Sequence, residues 1–276
     1  MAQFNPNDLS RFDNFDILTT TYKIVLGHEI ACHVLIPKPL VEQAQGQDRS
    51  TGLRPIIFRI HGGGFVSGST CIRHSAVIVS CDYRLAPEAT IDLLIEDVDS
   101  FLKWIHTELP SFVSGRTIVQ VDLRAVAAAY PLVDAKSPHF SQVYDKPMYG
   151  FPHLPTSLLD EHETKLKAKS IPSIISAEPQ CARAELMFSY VQNAKYAELF
   201  PPSRRDLYLL DKIEDGARFP RGSVFIWHGK GDTVVPVEGS LKLAEKLKEF
   251  DPDLPFTLAV REGEYGFDAT SSIDKQ

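Results

Sequence analysis

The sequence predicts an α/β fold with a mostly parallel sheet and helices on both faces, and three observations carry that expectation. Short apolar runs at 55–60, 76–80, 123–133, 222–229 and 255–260 have the length and composition of buried strands. Residues 91–109 and 238–250 lie between such runs and place their apolar residues at helical spacing. Strands that alternate with helices pair in parallel, because the crossover helix returns the chain to the same edge.

The opening is different. Residues 21–26 (TYKIVL) and 30–36 (IACHVLI) are β-rich and joined by Gly27-His28-Glu29, which predicts an antiparallel hairpin on the sheet edge. Pro37, Pro39 and the polar stretch to Thr51 read as a loop. The strand at 55–60 runs directly into His61-Gly62-Gly63-Gly64-Phe65, and the one at 76–80 into Cys81-Asp82-Tyr83-Arg84-Leu85-Ala86-Pro87-Glu88. In the helix at 91–109 the apolar face is Leu94, Val98, Phe101, Leu102 and Ile105. The strand at 123–133 ends in Tyr130-Pro131 and reads as buried. Residues 135–202 are rich in Pro and aromatics, hold one helix near 182–199, and form a cap-like segment within a single domain spanning 1–276.

With 276 residues, 43% of them hydrophobic, the chain can bury one sizeable core. A net charge of −7 argues against nucleic acid or an anionic membrane as partner. No apolar run reaches ~18 residues and the N-terminus lacks an apolar signal segment, so a cytoplasmic protein without membrane spans is expected. Cys32, Cys71, Cys81 and Cys181 show no CxxC pair or metal-ligand spacing and read as buried thiols; no metal and no cofactor are expected.

Three glycines after a buried strand free backbone N–H groups to point into a cavity, as an oxyanion hole requires, so Gly62, Gly63 and Gly64 are candidates for that role. A flexible turn is the plainer alternative. His61 reads as an architectural hydrogen-bonder. Asp82, Arg84 and Glu88 are expected to form a charge cluster that pins their loop, with Pro87 fixing its turn.

HGGGF followed by DYRLAPE resembles the hormone-sensitive-lipase-like, or fold-3, branch of the α/β-hydrolases. The later pieces AYPLVD (129–134), HGKGD (228–232) and GEYGFD (263–268) agree, so the likeness runs from about Tyr22 to Asp268. It implies an α/β-hydrolase fold, serine-dependent hydrolysis of carboxylic esters, a small apolar ester as ligand, and Asp232 as the acid of a catalytic triad. An ordinary loop carboxylate remains the alternative for Asp232.

The resemblance breaks at three places. No G-x-S-x-G elbow occurs anywhere; Ser67 in GFVSG is one place late, and Ser114 lacks the upstream glycine. Only residues 111–121 fill the interval where the family has its nucleophile strand, elbow and helix, so the central strand is expected to be missing. The half-dozen residues between Gly68 and His74 are likewise expected to be too few for a parallel crossover, which removes one crossover helix. Where the family has the triad histidine this chain has Tyr265, and no histidine follows His228. A tyrosine titrating near 10 is a poor base at neutral pH. The expectation is a carboxylic ester hydrolase frame that is catalytically impaired. The alternatives are a non-catalytic small-molecule binder, for which MYGFPHL (148–154) offers lining residues, or a splice or gene-model fragment of an active esterase. The oligomeric state is not legible.

Overall fold

Residues 12–45, 54–65, 76–119, 121–169, 173–178, 182–201 and 203–268 are described by a computed structural model. They fall into two compact units, one drawn from the described residues of 12–122 and 169–184, the other from those of 123–168 and 185–268.

The first unit is a four-stranded sheet in the order β1-β2-β4-β3. Strands β1 (Phe15–Val25) and β2 (His28–Pro37) form the expected antiparallel hairpin, which begins earlier than its apolar core suggests because Phe15 and Ile17 extend the pairing. The turn works because Leu26 and Gly27 both adopt positive φ, +49° and +81°. Strand β4 (Val77–Cys81) pairs antiparallel to β2 and parallel to β3 (Ile56–Ile60). Alternate residues of these strands, Cys32, Val34, Ile36, Val77, Val79 and Cys81, bury one face against α2 (Ile91–Thr107) through Phe101, Trp104 and Ile105. Leu109 and Val113, on and just after the one-turn α3 (Leu109–Phe112), complete this core.

Two expectations fail here. Residues 38–51 are not all loop: Lys38–Gln45 form helix α1. Pro39 is tolerated because first-turn N–H groups have no intrahelical partner to lose, and Leu40 and Val41 pack onto the core. The link from β3 to β4 is also not too short, since the two strands pair in parallel over five residues and their connection spans 61–76. Counting only from Gly68 to His74 understated it. Residues 66–75, with Ser67 and Cys71, lie outside the described residues, as does Cys181. On the free side of β3, Arg54 makes a single parallel bridge with Val119, its N–H donating to Ile118 O at 3.0 Å.

The second unit holds β5 (Ala125–Ala129), β6 (Ser223–Gly229) and β7 (Phe256–Arg261), all parallel, in that order. Val126, Val224, Ile226, Phe256 and Leu258 face α7 (Leu209–Glu214) and α8 (Glu238–Phe250), packing on Ile213, Leu243 and Leu247. The run at 123–133 is shorter and less buried than it reads. Among the described residues β5 pairs only with β6, so its alanines are half-buried or exposed.

Residues 135–202 are divided between the units. Besides the one-turn α4 (Pro138–Ser141) they contain α5 (Ser157–Lys167), which sequence reading missed because only Leu159 on it is buried. The helix expected near 182–199 stops as α6 (Ala184–Gln192): Ala194 turns to φ +58°, and a 3-10 turn follows at Tyr196–Leu199.

Candidate functional site

In the first unit the His61–Phe65 loop leaves the end of β3. Gly63 and Gly64 take φ of +112° and +59°, conformations that a side chain would strain. His61 is buried and stacks on Tyr83, with ring centroids 4.2 Å apart and planes 9° from parallel. Its Nδ1 lies 2.8 Å from Gly62 O, which makes Nδ1 the protonated nitrogen, and burial holds its pKa below the usual histidine value. The Tyr83 hydroxyl donates to His61 O at 2.8 Å, and Ala86 N–H donates to Phe65 O at 2.8 Å. The 82–88 motif therefore clamps both ends of the glycine loop.

The expected Asp82–Arg84–Glu88 cluster does not form; each residue turns to a different partner. Arg84 donates to Asp97 on α2 through its backbone N, Nε and Nη2, at 3.0, 2.7 and 2.7 Å. Glu88 takes Arg183 Nη2 at 2.6 Å, and Asp82 faces His33 Nε2 at 3.7 Å. Three short-range charges in one motif suggested mutual pairing, but strand and turn geometry points them apart. Asp97, fully buried and also 2.7 Å from Lys23 Nζ, is the residue that sequence reading missed. Its signal was a carboxylate on the apolar face of α2, three places after Leu94 and four before Phe101.

In the second unit Asp232 follows β6 in a turn laced to the end of β7. Lys230 N–H donates to Arg261 O at 2.7 Å and Gly231 N–H to Gly263 O at 2.9 Å. The approach needs glycine at 229, where a Cβ would stand 2.7 Å from Gly263 O. Asp232 is buried; its Oδ1 accepts from Val234 N at 2.9 Å and Val235 N at 2.8 Å. Its Oδ2 has no hydrogen-bond partner among the described residues. The nearby His228 is already committed, Nδ1 to Ser240 Oγ at 2.8 Å and Nε2 to Val235 O at 2.7 Å, and stands 3.5 Å from Oδ2.

Tyr265 is half-buried just past β7, its N–H held by Glu264 Oε1 at 2.7 Å. The same Glu264 carboxylate takes Thr233 N at 2.6 Å and Thr233 Oγ1 at 2.8 Å, tying the Asp232 turn to the Tyr265 turn. Tyr130 and Tyr149 stand edge-to-face to Tyr265, at 4.7 and 6.3 Å between ring centroids. Burial, with Asp268 next in effect, raises the Tyr130 pKa above the usual phenol value. Of the 148–154 stretch, Met148 is core and Tyr149 exposed. A cleft of about 290 Å³ is lined by Pro131, Val133, Phe140, Val235 and Pro236, with Asp134, His139, Glu238 and Lys242 also on its wall.

Among the described residues no three His, Cys, Asp or Glu side chains gather as a metal set, and no helix is long and apolar enough to cross a membrane.

Residues 57–122 match the family model described as the alpha/beta hydrolase fold. Probable carboxylesterase M8 of Phoma sp. is 24% identical over 308 aligned positions, covering 96% of this chain and 93% of that protein. A crystal structure of a Staphylococcus aureus protein of unknown function superposes with a TM-score of 0.60 at 17% identity, covering 93% of both chains. Thermogutta terrifontis esterase 2, phosphonylated by sarin, does so with a TM-score of 0.53 at 17% identity, covering 93% of this chain and 88% of that one. With the glycine loop, the DYRLAPE clamp and the Asp232 turn each standing at a strand end, the chain has the α/β-hydrolase fold and is similar to carboxylesterases of the hormone-sensitive-lipase-like branch.

Proposed function

We propose that this carboxylesterase-like chain is a silenced member of its family, a pseudoenzyme that does not turn over esters. The observation that carries the reading is Asp232. Two backbone N–H groups orient a buried carboxylate whose second oxygen lacks a hydrogen-bond donor among the described residues. A buried acceptor left unpaired is costly and calls for an explanation. A triad histidine would donate there, and this sequence places Tyr265 at the family's histidine position. The absence of a G-x-S-x-G elbow supports the same reading. So does the alignment with the Phoma relative: it runs to 308 positions, yet draws on only 96% of these 276 residues. About forty positions of the relative thus face gaps, enough for a strand, an elbow and a crossover helix. The Val119–Arg54 bridge then serves as a one-residue surrogate for that strand. In this reading Gly62–Gly64 keep the form of an oxyanion loop that has no nucleophile to serve.

The test is covalent labelling. A fluorophosphonate probe is expected to leave the full chain unmodified, and short p-nitrophenyl esters to hydrolyse at the buffer rate. Labelling that maps to one serine, Ser67 and Ser114 included, would sink the proposal. The cleft at Val133 and Val235 favours a second reading, retention of a small apolar ligand. Saturation-transfer NMR with phenyl acetate checks it: a signal abolished by Val133→Trp supports binding there, and no signal dismisses it.

A further inference from the structure

Cys32 and Cys81 are cross-strand partners in the antiparallel β2–β4 pair. The flanking pair is hydrogen-bonded, since Asp82 N–H donates to Ala31 O at 3.0 Å. Hydrogen-bonded and non-hydrogen-bonded pairs alternate along an antiparallel ladder, so Cys32 and Cys81 occupy the non-hydrogen-bonded kind. There Cα atoms stand about 4.5 Å apart and the side chains are closest, within the Cα spacing that a disulfide spans. Both side chains point to the same buried face, and both thiols are free.

From this register we infer that Cys32 and Cys81 form a disulfide site, a dithiol that closes into a cross-strand bridge between β2 and β4. One thiolate attacks a small-molecule disulfide such as oxidised glutathione and releases one glutathione thiol. The second cysteine then attacks the mixed disulfide and releases the other. One protein S–S bond forms, and two electrons and two protons leave on two glutathione molecules.

The bridge would clamp the sheet directly before Asp82, whose carbonyl accepts the Tyr22 hydroxyl at 2.7 Å, and before Tyr83, which holds the glycine loop. Both cysteines are fully buried. Burial pushes the Cys32 thiol up to about 12 and raises Cys81 as well, so little thiolate exists in the folded state. Closure therefore belongs to the time before the sheet buries the pair.

The experiment refolds the full chain from denaturant in a glutathione redox buffer, blocks remaining thiols with iodoacetamide, and maps the unreduced digest by mass spectrometry. A peptide pair joined through Cys32 and Cys81 is expected, absent from Cys81→Ala. The oxidised form should melt about 5 °C or more above the reduced form, with no such shift in Cys32→Ala. Carbamidomethylation of both residues after oxidative refolding, or a bridge from either to Cys71 or Cys181, would overturn the inference. Because the mapping is made on the unaltered chain, a variant that fails to fold does not blunt it.

Discussion

Replacing Asp97 by alanine tests the account of the first unit most directly. The carboxylate is fully buried and accepts from Arg84 N, Nε and Nη2 and from Lys23 Nζ, all within 3.0 Å. Its loss leaves the guanidinium of Arg84, only 7% exposed, with the Leu93 carbonyl at 3.0 Å and the exposed Glu96 carboxylate at 3.5 Å. Removing one member of a buried pair costs roughly 3–5 kcal/mol, because the other charge stays desolvated. Glu96 remains as partial compensation, and Lys23 keeps it as a partner at 2.9 Å, so the lower end, about 3 kcal/mol, is expected.

Urea unfolding followed by tryptophan emission reads this loss. The chain has two tryptophans, Trp104 on α2 and Trp227 on β6, one in each unit. A Trp227→Phe background therefore isolates the first unit, where an independent transition of the other unit cannot distort the value. If the buried charge is the cause, Arg84→Met combined with Asp97→Leu should recover most of the lost stability, since an apolar pair of similar volume is often neutral. A loss below about 1 kcal/mol for Asp97→Ala is the size of a surface ion pair, and would mean that water reaches Arg84.

Gly222→Ala should destabilise the second unit by about 2 kcal/mol or more, since its Cβ would lie 2.1 Å from Arg124 O at the start of the β5–β6 pairing. Trp227 emission in a Trp104→Phe background is the readout, and an unchanged midpoint would contradict the close approach. Lys146 is buried, with Nζ donating to His139 O and Val191 O, and burial lowers its pKa to about 8. The unfolded chain then binds more protons between about pH 8 and 10.4, so this group's contribution is absent below that window and complete above it. Stability should rise with pH across the window relative to Lys146→Met, and parallel curves for the two proteins would refute the lowered value. Inserting a strand–elbow–helix segment should not restore ester hydrolysis while Tyr265 remains; adding Tyr265→His should raise kcat by about three orders of magnitude. Equal rates for the two elbow-bearing proteins would show that position 265 is not the histidine site.

Much of the frame was legible because it depends on local patterns. Apolar runs set β3, β4, β6 and β7 to within a residue, and helical spacing set α2 and α8. What stayed hidden depends on partners distant in sequence. Helix α5 fully buries only Leu159, so its spacing shows no apolar stripe. The break after α6 rests on one residue at positive φ, an alanine that gives no composition signal. The crossover from β3 to β4 was misjudged because a length argument was applied to part of a connection instead of the whole.

The site divides along the same line. The turns at Gly62–Gly64 and Asp232 were legible as strand-end features, because three glycines and a carboxylate directly after apolar runs each leave a mark in the sequence. The partners of Asp82, Arg84 and Glu88 were not, because His33, Asp97 and Arg183 lie from 13 to 95 positions away. That difference bears on function. The residues that shape the glycine loop are held by buried long-range bonds, and those that orient Asp232 by adjacent backbone N–H groups. Neither set depends on a reacting serine or histidine. A frame supported in this way would hold its form with or without that chemistry, so an intact DYRLAPE clamp is evidence of fold alone. Evidence of activity must come from the serine and histidine positions themselves.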